Sequence, residues 1–151
     1  MAKWLVMAMV AVVFAGWAFP GAVPAAEGAG AVTVKVVGLR GASGRVIVAL
    51  FGADDGFPSR FEKALTKVTV EIRDGRALAR FDNVPPGRYA ACAVHDENGN
   101  GRLDTNFIGI PREGVGVSNN VRSRIGPPGF DDAAFTHGAG PTTLEIRLRY
   151  L

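Results

Sequence analysis

Val32, Val34 and Val36 alternate with Thr33 and Lys35, the two-residue period of a strand with one face buried and one face wet. The same period returns at Val68, Val70 and Ile72 against Thr69, Glu71 and Arg73, and again at Leu144, Ile146, Leu148 and Tyr150 against Thr143, Glu145, Arg147 and Arg149. Residues 45–51 and 89–94 differ, being apolar almost throughout, as central strands covered on both faces are. Asp74-Gly75 tolerates positive φ at both positions and predicts a tight hairpin joining strands 67–73 and 76–81. Val115-Gly116-Val117-Ser118 adds a short edge strand. Helical turns are expected only at 60–65 and at 131–135, the latter capped by Asp131. The pattern therefore predicts an all-β fold, an antiparallel β-sandwich of about seven strands, with a small barrel as the alternative.

One segment escapes this pattern. Between Asp96 and Pro141 the chain is a long Gly/Pro/Asn-rich loop, and structureless loops of more than about 15 residues in compact domains tend to be functional. Its first part places Asp96, Asn98, Asn100 and Asp104 at positions one, three, five and nine of an EF-hand-type calcium loop, with Gly101 at the sixth and the Arg102 carbonyl at the seventh. The twelfth position, normally a bidentate glutamate, is Phe107, so Glu113 or the pair Asp131 and Asp132 would have to complete the shell. The candidate metal residues are thus Asp96, Asn98, Asn100, Arg102, Asp104 and Glu113, and the cofactor they suggest is calcium. The competing reading is a metal-free ladder of Asx turns, in which the same side chains cap their own backbone. Phe107, Phe130 and Phe135 are expected to pin the long segment to the sandwich, with the lining of a ligand groove as the alternative for any of them. Ser118-Asn119-Asn120 suits either a sugar or a backbone.

The N-terminus follows different rules. Lys3, the uncharged apolar run 4–19, the breakers Pro20, Gly21 and Pro24, and then Ala25 and Ala26 have the order of a secretory signal peptide, residues 1–25, with an uncleaved anchor as the alternative. Cleavage leaves a single sandwich domain, residues 31–151, with no transmembrane segment, in the periplasm or outside the cell. It also removes only Lys3 from 17 basic and 14 acidic residues, so the balance falls toward neutral. The arginines are scattered rather than gathered into a basic stripe, which argues against nucleic acid. One cysteine permits no internal bridge, and Cys92 in an apolar run reads as a small buried hydrophobe. Two histidines, His95 and His137, make a poor zinc set.

The run Phe81-Asp82-Asn83-Val84-Pro85-Pro86-Gly87-Arg88-Tyr89-Ala90, followed by 95–111, Pro111-Arg112-Glu113-Gly114 and Ser118-Asn119-Asn120, resembles an uncharacterised bacterial family, the domain of unknown function numbered 2141. The resemblance implies an exported protein with an Ig-like or prealbumin-like sandwich and no assigned activity. Pro-Pro-Gly-Arg-Tyr is also similar to a step in transthyretin-like modules, where the tyrosine opens a core strand. The hydroxyisourate hydrolases of that group end in Tyr-Arg-Gly-Ser, whereas this chain ends Leu148-Arg149-Tyr150-Leu151, which argues against that activity.

The leading expectation is an exported, non-enzymatic module whose calcium-type loop organises a surface for a glycan, a peptide or an envelope protein. The alternatives are a hydrolase using His95 with Asp96 or Glu113, and a purely structural envelope domain. No nucleophile is placed beside a base in this sequence.

Overall fold

Alternation along the first strand becomes burial: Val32, Val34 and Val36 have no exposed surface, while the residues between them are half-buried. The structure, a computed structural model, describes residues 28–151, so the expected signal peptide lies outside the described residues. The described residues form eight strands: β1 (Gly30–Val37), β2 (Arg45–Phe51), β3 (Thr66–Val70), β4 (Ala77–Val84), β5 (Gly87–Asp96), β6 (Gly114–Val117), β7 (Phe135–His137) and β8 (Thr142–Arg147). They form a three-stranded sheet, β4-β1-β8, and a larger sheet, β3-β2-β5-β6, with β7 also pairing with β5. This is the expected all-β sandwich. Among the described residues no helix is long and apolar enough to cross a membrane.

The inter-sheet core is made by Val32, Val34 and Val36 of β1, Ala77, Ala79 and Phe81 of β4 and Ile146 of β8, facing Val46, Val48 and Leu50 of β2 and Ala91 and Ala93 of β5. The opposite face of the larger sheet is buried too, because Phe61, Val117, Phe130 and Ala133 cover Ala49, Phe51, Ala90, Cys92 and Val94. Hence the near-continuous apolar runs in β2 and β5: the long segment after β5, together with the Phe57 and Phe61 connection between β2 and β3, acts as a third layer. Cys92 lies inside that layer, where burial pushes its thiol pKa up and its Sγ contacts the Pro58 carbonyl at 3.2 Å.

Tyr89 is the third residue of β5 and the first buried one. Its hydroxyl donates to the Pro85 carbonyl at 2.8 Å, tying the Pro-Pro-Gly turn to the core strand.

Three expectations need correction. The Asp74-Gly75 turn forms, with φ of 52° and 69°, and Arg73 and Arg76 exchange backbone hydrogen bonds of 2.8 and 3.1 Å. The hairpin then stops, because β3 joins β2 in one sheet and β4 joins β1 in the other. Val68 and Val70 pair with Val48 and Val46, while Ala77, Ala79 and Phe81 pair with Val36, Val34 and Val32. Parting the strands sets their apolar faces opposite each other across the core, which one hairpin in one sheet would not do. Next, β8 runs parallel to β1, the one departure from antiparallel pairing among the named strands. Finally, the helical turns shrink to a 3₁₀ turn at Phe61–Lys63 and a four-residue helix at Phe130–Ala133. Gly129, not Asp131, is the residue before that helix, and no side chain caps it.

Candidate functional site

Asp96 is the last residue of β5 and is 2% exposed, so its carboxylate is fixed by the sheet before the loop begins. Its Oδ1 accepts from the Asn100 N–H at 3.0 Å and its Oδ2 from the Gly101 N–H at 2.7 Å. Asn98 Oδ1 accepts from the Asn100 N–H at 3.1 Å, and Asn100 Oδ1 accepts from the Arg102 N–H at 2.8 Å. These are Asx turns, and they wind the backbone around the Asp96 carboxylate. Gly101 has φ of 76°, which is why the sixth position of such a loop favours glycine.

The side-chain amides of Asn98 and Asn100 donate to opposite oxygens of Asp104, at 2.6 and 2.9 Å. The structure thus gathers Asp96, Asn98, Asn100 and Asp104 into one hydrogen-bonded cluster. Glu113, only 4% exposed, closes the loop from outside it: Oε1 accepts from the Glu97 N–H at 3.0 Å and Oε2 from the Asp104 N–H at 3.1 Å. One buried carboxylate therefore holds both ends of the loop. Glu113, which the sequence offered as a group that could complete a cation shell, accepts from these two N–H groups and so braces the loop. Asp131 and Asp132 do not return to the loop. Asp131 pairs with Arg88 at 2.6 Å, at the start of β5, roughly 25 Å along the strand from Asp96. Among the described residues no three His, Cys, Asp or Glu side chains gather as a metal-holding group, so any cation here would depend on asparagine and backbone oxygens.

His95 is fully buried beside this loop. Its Nε2 lies 2.7 Å from the Ser43 carbonyl, which only accepts, so Nε2 carries a proton. Nδ1 is hydrogen-bonded to the Tyr150 hydroxyl at 2.8 Å, and that hydroxyl accepts from the Arg40 N–H at 3.0 Å. The Arg40 guanidinium lies 4.4 Å from the Tyr150 ring centroid and forks onto Glu97 at 2.7 and 2.5 Å. That pairing holds the Glu97 carboxyl below its ordinary range. This His95–Tyr150–Arg40–Glu97 chain was not anticipated, since its members come from three separate parts of the sequence, around residues 40, 95–97 and 150.

His137 is likewise structural, with Nδ1 2.7 Å from the Thr142 hydroxyl and Nε2 3.1 Å from the Val84 carbonyl. Ser118-Asn119-Asn120 takes the backbone reading. Ser118 accepts from the Ala91 N–H at 2.9 Å, Asn119 donates to the Asp132 and Ala134 carbonyls, and Asn120 clamps Glu145 and Arg147.

Beyond Asp104 the chain makes a small hairpin. Thr105 bridges Pro111, the Asn106 N–H donates to the Ile110 carbonyl at 2.8 Å, and Asn106 Oδ1 accepts from the Ile108 and Ile110 N–H groups. Phe130 and Phe135 do pin the long segment, but Phe107 does not: it is 98% exposed at the tip. Asn106 satisfies the turn without help from the core, so the aromatic ring is released to solvent. Two clefts of about 380 and 460 Å³ lie at the start of β5, around Tyr89, away from this loop.

A two-sheet sandwich carrying a self-bonded polar loop at the end of its central strand defines an all-β module. Residues 34–145 match the model of the family DUF2141, described as uncharacterized protein conserved in bacteria, and the chain belongs to that family. No curated protein matches. A similar solved structure is the pilus-presented adhesin Spy0125 (Cpa), at 13% identity over 80% of this chain, with a TM-score of 0.25. The chain spans 27% of that adhesin's length.

Proposed function

We propose that this is an exported, non-enzymatic β-sandwich module whose 96–104 loop binds calcium and so holds the neighbouring 105–111 hairpin as a surface for a partner. The observation that carries the reading is the gathering of Asp96, Asn98, Asn100 and Asp104, four side chains at the ligand spacing of a calcium loop, into one hydrogen-bonded cluster beside a buried brace. Two carboxylates balance one divalent charge. Binding asks the Asn98 and Asn100 amides to present oxygen rather than nitrogen toward Asp104, a rotation about one terminal bond in each. Export rests on the sequence of residues 1–25.

A hydrolase built on His95 has less support. Both ring nitrogens are engaged, the ring is sealed from solvent, and the hydrogen bonds of Asp96 and Glu113 run to loop N–H groups.

Thermal melting with calcium, magnesium or EDTA tests the proposal. At ~10 mM calcium and a Kd of ~10⁻⁴ M, ligand linkage adds about 2.7 kcal/mol, several degrees in Tm for a domain of this size. Magnesium is expected to add less, since it demands a tighter octahedron. Asp96→Ala removes the calcium-dependent part, whereas Glu97→Ala, outside the ligand positions, leaves it. Identical curves in calcium and EDTA would leave a metal-free Asx ladder in a structural domain.

A further inference from the structure

Among the described residues seven large apolar side chains are exposed, and three of them, Phe107, Ile108 and Ile110, fall within four consecutive positions. Their exposures are 98%, 65% and 41%, and they sit on the convex tip of the 105–111 hairpin. The tip is not a slack loop, because Asn106 and the Thr105–Pro111 bridge fix its backbone. A built turn that spends its hydrogen bonds on displaying three bulky apolar groups to water is an unfilled contact.

What would fill it is indicated by the charges at its base. Arg102 and Arg112 flank the hairpin, both exposed, and neither pairs with an acid among the described residues. Glu113 and Asp104, the nearest acids in sequence, keep their charge but turn it toward loop N–H and amide groups rather than toward either guanidinium. An apolar wedge above a collar of free guanidinium groups matches a bilayer interface. The wedge enters the acyl boundary, and the cations stay among anionic headgroups. A flat or grooved protein partner fits a convex tip of this kind less well, since each side chain would need its own pocket.

We propose that the 105–111 tip docks the protein on an anionic phospholipid surface, with Phe107, Ile108 and Ile110 inserted and Arg102 and Arg112 on the headgroups. This names the partner of the surface proposed above, and it rests on the calcium reading only for any calcium dependence. A bound cation would add positive charge beside the same headgroups.

The test uses the full chain carrying Ile108→Cys, labelled with an environment-sensitive fluorophore. Cys92 is buried and stays unlabelled, and Leu78→Cys, on the exposed face of β4, is the control position. Vesicles of phosphatidylcholine alone are compared with vesicles containing phosphatidylglycerol. Expected is a blue shift at 108 but not at 78, with partition to the anionic vesicles weakened about fivefold by each of Arg102→Gln and Arg112→Gln. Phe107→Ser should weaken it more than tenfold, and its unaltered circular dichroism would show that the fold survives. No shift at 108, or equal shifts at 108 and 78, would overturn the proposal. So would a concentration-dependent dimer in sedimentation that Phe107→Ser abolishes, which would give the tip to a second copy. A shift that persists unchanged in EDTA sustains lipid docking while removing calcium from it. A calcium-dependent rise in Tm with no shift at 108 does the reverse.

Discussion

The sandwich and the loop that leaves its central strand are held together by different physics. Between the sheets Val34, Val48, Leu50, Ala93 and Ile146 are all at or below 1% exposure, and their stability is that of apolar surface withdrawn from water. Along 96–104 the bulky apolar groups are few, and stability comes from Asp96, Asn98, Asn100, Asp104 and Glu113 taking up backbone and amide N–H groups. The difference teaches where each region is robust. A core of interchangeable aliphatics tolerates changes of shape, whereas a polar loop depends on each acceptor being the right atom in the right place.

The largest expected effect lies in the core. Leu50→Ala, at 1% exposure, should cost about 2–5 kcal/mol in urea unfolding and lower every part of the transition together. Glu113→Ala should cost less, about 1–3 kcal/mol, because it orphans the Glu97 and Asp104 N–H groups without opening the sandwich. Its signature is local: hydrogen exchange should accelerate over residues 97–113 and stay slow in β1 and β2. If exchange rose equally everywhere, the loop would belong to the core's cooperative unit and the contrast between the two regions would fail.

A smaller effect concerns pH. Arg40 lowers the Glu97 carboxyl pKa in the folded state, so the pair contributes stability above the ordinary glutamate pKa and loses it as pH falls through the lower folded value. Glu97→Gln should therefore flatten the fall of Tm in the acid range below about pH 4, compared with the unmodified protein. Equal slopes would show that the Arg40 fork is solvated and idle, as many surface pairs are.

Much of the sandwich was legible because period-two burial is a local property, as in 32–36 and 144–148. Sheet membership was not. Asp74-Gly75 announces a tight turn correctly, but whether β3 and β4 stay paired depends on β2 and β1, which lie far away in sequence. The doubly apolar β2 and β5 announced two covered faces, yet nothing local said that the long segment and the β2–β3 connection together supply the second cover. In the loop, the cluster of positions 96, 98, 100 and 104 could be read from spacing alone. The brace at Glu113 and the buried seat of His95 could not, since each is made by contacts across many residues. Phe107 was assigned inward because its type favours burial, while the self-sufficient turn at Asn106 leaves it outside.

The central claim is that the loop is a cation site rather than a ladder of turns. It is tested most directly at the Gly101 amide, which donates to Asp96 Oδ2 at 2.7 Å and would feel any charge placed on that carboxylate. In ¹H–¹⁵N spectra titrated with calcium, the account predicts saturable shifts centred on Gly101 and its neighbours in 96–104, absent in Asp96→Ala. Amides of 96–104 that stay in place up to ~10 mM calcium, above the range of weak extracellular calcium modules, would contradict it.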